Sequence, residues 1–115
     1  MANIPNGVNE GVKHDVGKPP IGLISRFFIL GIARVLAFGA RKYAAHNWRL
    51  GMAWSRAADA ALRHIFAWID GEDLDPETGE NHLYHAACEL MFLAEWQETG
   101  VGVDDRFKRP AKNPG

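Results

Sequence analysis

The chain has 115 residues, 47% of them hydrophobic, and 13 Lys and Arg against 14 Asp and Glu, for a formal net charge of −1. That length suits one domain and is too short for two independent cores, while near-neutrality excludes long-range attraction to a nucleic-acid backbone and a polybasic membrane signal. The single cysteine, Cys88, can form no intramolecular disulfide and stands outside any paired-cysteine zinc pattern, which points to a reducing cytoplasm.

Residues 1–22 carry Pro5, Pro19 and Pro20 among several Gly and Asn, without helical or alternating periodicity, and read as an irregular arm. Met1 to Lys13 has no basic stretch followed by an apolar one and does not read as a signal peptide. A first helix is expected over about Ser25 to Tyr43. It is apolar around most of its circumference, with only Arg26, Arg34, Arg41 and Lys42 forming a polar line. A three-helix monomer does not need to bury so much, and a second subunit would explain the surplus. The apolar run from Phe27 to Phe38 is interrupted by Arg34 and falls short of the roughly 20 residues that span a bilayer.

From Gly39 to Trp54 the chain interleaves Arg41, Lys42 and Arg49 with Tyr43, Trp48 and Trp54. Aromatic faces can stack on a base and the cations can neutralise phosphates. The same segment also suits a connection whose aromatics pack under the helices while its cations stay in water.

A second helix is expected over about Ser55 to Asp70, with Ser55 as N-cap and Gly71 as stop. Ala57, Ala61, Leu62, Ile65, Phe66 and Ile69 share its broad apolar face, and Arg56, Asp59, Arg63 and Asp70 lie opposite. The next loop, Gly71 to Glu80, gathers Glu72, Asp73, Asp75, Glu77 and Glu80. Such crowding is repulsive unless a cation or arginines offset it, although an acidic turn can also simply face water. An EF-hand is excluded, because counting from Asp73 puts Thr78 where the loop needs Gly and Tyr84 where it needs Glu.

A third helix is expected over about Glu80 to Thr99, with His82, His85 and Glu89 at i, i+3 and i+7 on one stripe. Beside the acidic loop, that stripe can hold a divalent ion: Mg²⁺ or Mn²⁺ if carboxylates dominate, Mn²⁺ or a softer ion if both imidazoles ligate. The tail from Asp104 to Gly115 again reads as irregular, and β-branched alternation is too sparse for strands. The chain therefore reads as one all-α domain, a small helical bundle completed by oligomerisation.

Six stretches in order carry a resemblance: D-V-G-K-P from Asp15, F-G-A-R-K-Y from Phe38, N-W-R-L-G from Asn47, L-R-H from Leu62, G-E-D-L-D-P-E-T-G from Gly71 and H-L-Y-H-A from His82. Their series resembles the phage dATP/dGTP diphosphohydrolase N-terminal domain, which goes with the MazG-like all-α nucleotide pyrophosphohydrolases. The resemblance implies an obligate homo-oligomer, dimer or tetramer, with divalent ions held by acidic side chains of two helices and the loop between them. It also implies hydrolysis between the α and β phosphates of a nucleoside triphosphate, preferably a purine deoxynucleotide. The better-known MazG pattern E-E-x-x-E followed by E-x-x-D is absent, because the second helix offers Asp59 and His64 and the third offers His82, His85 and Glu89.

On this reading Glu72, Asp75, Glu77, His82 and His85 are the foremost ligands of a metal or partners of its ligands, with Asp59, His64 and Glu89 next. One of Glu72, Asp75 and Glu77 acts as general base. Lys42, Arg49 and Arg63 hold phosphates, Trp48 or Tyr43 stacks on the base, and Asn47 hydrogen-bonds to sugar or base. The alternative role for Arg63 is an i, i+4 bridge to Asp59. The expected partner is a nucleoside triphosphate, with no nucleic-acid polymer and no membrane. Two other readings compete: a helical protein that binds a nucleotide without turnover, and an HD-type phosphohydrolase, whose only His-Asp pair here, His14-Asp15, falls in the arm.

Overall fold

Helix α1 runs Arg26–Lys42, α2 runs Trp54–Ile69 and α3 runs His82–Thr99 in the computed structural model, which describes residues 10–110. Two 3₁₀ turns, Ile21–Leu23 and Asn47–Leu50, precede α1 and α2. Among the described residues there is no strand, only two isolated bridges, Ala53 with Val103 and Leu74 with Asn81. No helix is long and apolar enough to cross a membrane.

Two of the helices start on side-chain caps. The Ser25 hydroxyl accepts from the Phe28 amide, and the Asn81 side chain accepts from the Leu83 amide at 2.8 Å. Glu80, expected inside α3, belongs to the loop instead, because its amide donates to the Thr78 hydroxyl and its carbonyl accepts from the Asp75 amide.

Ser55 is not the N-cap of α2. The helix begins behind Ala53, which offers no capping side chain, and the free amides of its first turn are satisfied from far along the sequence. The Val103 carbonyl accepts from the Trp54 amide at 2.9 Å, and the Asp105 carboxylate accepts from the Ser55 amide and hydroxyl. Residues 101–105 are thus a strap that caps α2 with a negative charge, the sign that a helix N-terminus favours. Gly71, at φ 97°, does end α2, its amide bonding back to the Trp68 carbonyl.

Helix α3 packs against both other helices. Small side chains let it come close to α2, with Ala57, Ala61 and Ala86 all buried. At the crossing with α1, a Cβ on Gly31 would stand 2.4 Å from the Tyr84 ring, so only glycine permits this approach. Phe28 meets Tyr84 edge to face there, and the Cys88 thiol donates to the Ile32 carbonyl. Burial pushes that thiol up to about 12, so Cys88 is an inert part of the core.

The apolar surplus of α1 stays at the surface: Phe27 is 75% exposed and Leu30 52%, and on α2 Phe66 is 58% exposed. The Cα radius of gyration is 20.2 Å, against about 13 Å for a compact chain of this length.

Candidate functional site

An open cleft of about 1210 Å³ has α3 as its floor, α1 and residues 43–52 along one side, and α2 with the acidic loop along the other. Of the residues expected from sequence to act, Lys42, Tyr43, Asn47, Trp48, Arg49, Asp59, Arg63, His64, Asp75, Glu77, His85 and Glu89 line it. His82 and Glu72 lie behind His64, bonded to it in series.

That series is the most ordered part of the site. His82 is 4% exposed, its Nδ1 is 2.8 Å from Nδ1 of His64, and its Nε2 is 2.6 Å from Glu72 Oε1. The carboxylate can only accept, so His82 carries its proton on Nε2 and turns a lone pair on Nδ1 toward His64. The His64 and His85 rings stack with centroids 4.5 Å apart and planes 12° apart, and His85 Nε2 is 2.6 Å from the Thr78 hydroxyl. Ligand atoms of His64, Asp75 and His82 all fall within 4.8 Å of one another.

Burial lowers the His64 imidazole, and the neighbouring His85 and His82 push it further down, against a smaller opposing pull from Asp75. His85 is likewise lowered by burial, partly offset by Asp75. Burial by itself would raise the Asp75 carboxyl, but the Thr78 amide, His85 and the Glu77 amide together hold it below its ordinary value. Asp75 Oδ1 accepts from the Glu77 amide at 2.9 Å and the Thr78 amide at 3.0 Å, which folds the loop back on itself and leaves Oδ2 to point elsewhere. His64 and His85 are therefore biased toward the neutral imidazole and Asp75 toward the ionised carboxylate, the protonation states in which such groups coordinate a cation.

Glu89 stands one helical turn beyond His85. Burial raises its carboxyl to about 7, with Arg63 pulling the other way. No ion pair joins Arg63 to Asp59 among the described residues, and both side chains line the cleft.

On the opposite wall the cations are already engaged. Lys42 pairs with Glu77 at 3.1 Å, and Arg49 pairs with Glu95 at 2.6 Å. Trp48 is already engaged: Phe92 stacks on it at 4.7 Å and the Arg49 guanidinium lies 4.4 Å from its centroid. Its carbonyl accepts from the Trp96 indole at 3.0 Å. Of the two aromatics proposed as a base platform, Tyr43 is the open one, at 65% exposure.

Sequence reasoning missed Thr78, Phe92 and Glu95, which hold His85, Trp48 and Arg49 in place, and it missed His46, whose Nδ1 accepts from Arg49 Nε at 2.9 Å. Phe92 continues the i, i+3, i+7 spacing of His82, His85 and Glu89 along α3, a signal that was present; the others had none. His14 and Asp15 are exposed in the arm and take no part in the cleft.

Residues 8–106 match the family described as "dATP/dGTP diphosphohydrolase, N-terminal". A relative called "dATP/dGTP diphosphohydrolase", from Salmonella phage PMBT28, is 45% identical over 96 residues, covering 84% of this chain. The chain spans about a third of that relative's length, 33%. No solved structure matches it.

Proposed function

The chain belongs to the dATP/dGTP diphosphohydrolase N-terminal family, and on that premise we propose that its cleft is the active site of a MazG-like, metal-dependent pyrophosphohydrolase that takes purine deoxynucleoside triphosphates to monophosphate and pyrophosphate. The observation that carries this reading is the series Glu72, His82, His64 with Asp75 beside it, preformed at one wall of a cleft whose other wall is basic and aromatic.

The donor set fits a divalent cation. Ligand atoms of His64, His82 and Asp75 converge, the Glu72 carboxylate fixes the tautomer that turns the His82 Nδ1 lone pair toward His64, and a cation would take the place of the proton shared between the two rings. Two imidazoles and one carboxylate suit Mn²⁺ or a softer ion better than Mg²⁺, which prefers oxygen. When bound, such an ion supplies charge neutralisation on phosphate oxygens and activation of a water.

The chain's own residues do the remainder. Glu89, poised near neutrality and open to the cleft, is suited to take a proton from the attacking water. Arg63 and Arg49 place positive charge on opposite walls to meet the phosphates, and Lys42 joins them by exchanging its contact with Glu77. Tyr43 offers an aromatic face for the base and Asn47 a hydrogen-bonding amide beside it. The active unit is a homodimer or homotetramer, in which a second copy covers the exposed Phe27, Leu30 and Phe66.

The test is product analysis with each of the four deoxynucleoside triphosphates, in Mg²⁺ or Mn²⁺. Monophosphate with pyrophosphate is expected, fastest with dATP and dGTP and abolished by EDTA. Release of intact triphosphate, or turnover undiminished in EDTA, would overturn the reading.

A further inference from the structure

His46 is the one non-glycine residue with positive φ among the described residues, at φ 65° and ψ 6°. A side chain in this left-handed region is disfavoured, and it persists where surrounding contacts fix it. Here the backbone brings the ring back over the 3₁₀ turn that follows, where Nδ1 accepts the Arg49 Nε hydrogen at 2.9 Å. Arg49 Nη1 donates to Glu95 Oε2 at 2.6 Å, and its guanidinium carbon lies 4.4 Å from the Trp48 ring centroid. Trp48 is in turn backed by Phe92.

A planar guanidinium held at two edges and on one face has its orientation determined. Two of its five N–H groups are engaged in these bonds, and the others remain to meet an anion. His46, Trp48, Arg49 and Glu95 all line the cleft.

We propose that His46 is a positioning residue: its Nδ1 locks the Arg49 guanidinium over Trp48, so that the remaining N–H groups meet the phosphates of a nucleoside triphosphate entering the cleft. The role rests on the pyrophosphohydrolase reading, whereas the lock itself belongs to the free protein. The bond requires Nδ1 to be unprotonated, and it requires no contact between His46 and the substrate.

Two variants separate the lock from the backbone. His46→Gly adopts φ 65° more readily and removes the acceptor, whereas His46→Asn also tolerates the left-handed region and sets Oδ1 where Nδ1 stood. The measurements are dATP affinity, KM and kcat with Mn²⁺, and the Arg49 Nε–Hε signal in nuclear magnetic resonance of the nucleotide-free protein. His46→Gly is expected to weaken dATP binding and raise KM by about tenfold, the scale of one bond to a charged group, with kcat changed little. It should also lose the protected Arg49 signal, and His46→Asn should restore both. Parental dATP affinity in His46→Gly, or no rescue by a folded His46→Asn, overturns the proposal. A parent protein that binds no dATP yet shows an Arg49 signal lost in His46→Gly overturns the nucleotide reading and supports the lock. A parent without that signal overturns the lock.

Discussion

On the α2 and α3 side of the cleft the polar groups are bonded to one another around the buried His82, Glu72 to His82 and His82 to His64, with Thr78 bonded to His85 beside them. On the side formed by the end of α1 and residues 43–52 they are exposed and paired across the cleft surface, Lys42 with Glu77 and Arg49 with Glu95. Groups bonded in series to a buried residue hold one another in place whether or not a ligand is present, and removing Glu72 or His64 costs the buried His82 a partner. A lone exposed ion pair such as Lys42 with Glu77 is worth little and exchanges partners readily, whereas Arg49 is also held by His46. The first side is thus suited to fixing reacting atoms, and the second to taking up and releasing a charged substrate.

The comparison breaks most severely if the first side is dispensable. Asp75→Asn and His82→Ala are each expected to lower kcat by about a thousandfold or more, since losing a catalytic ion costs several kcal/mol of transition-state stabilisation. Steady-state dATP hydrolysis by variants whose circular dichroism matches the parent measures this, and parental kcat in both would place the chemistry elsewhere. Glu72→Gln tests the support behind the cluster rather than the cluster itself. An amide still bonds His82 but fixes its tautomer less firmly, and Mn²⁺ affinity by calorimetry should fall by about 10–100-fold.

The second side should respond differently in kind. Tyr43→Ala is expected to raise KM by about tenfold with kcat nearly unchanged, because a stacked base contributes equally to ground and transition states. A fall in kcat alone would show that Tyr43 acts on the chemistry.

The smallest effect concerns stability. Burial raises Glu89 to about 7 from its ordinary value of 4.5, so the folded protein holds a proton that the unfolded chain has released. Its contribution to stability is fully present below about pH 4.5 and is lost as pH rises through about 7. Glu89→Gln keeps the neutral form at all pH values. It should be more stable than the parent at pH 8 by about 1 kcal/mol, reduced from the full shift because the carboxyl opens to the cleft, and equal to it at pH 4.5. Thermal melts at the two pH values check this, and a difference that does not change with pH would show that Glu89 is an ordinary surface carboxylate.

The three helices were legible because their signals are local. Apolar spacing in α2, the stop at Gly71 and the stripe His82, His85, Glu89 need no knowledge of the rest of the chain. The start of α2 was misread for the complementary reason. Ser55 has the chemistry of a cap, but its partner Asp105 lies 50 residues away and satisfies the amide first. Many of the residues that line the cleft were also readable as a set, since acidic loop, imidazoles, cations and aromatics all stand in the sequence.

What the sequence by itself determined, then, is the all-α class, the family and the chemical types gathered along the chain, because each depends on residue type and near-neighbour spacing. Tertiary structure alone decided the pairings: His64 with His82 across 18 residues, Arg34 with Glu80 and Arg49 with Glu95 across 46, and Trp96 with the Trp48 carbonyl across 48. It also decided that Trp48 is stacked against Phe92 and Arg49 while Tyr43 stays exposed. Such outcomes depend on which helix faces meet. Packing at Gly31 and the buried alanines sets that, and no periodicity in a single helix encodes its partner's register.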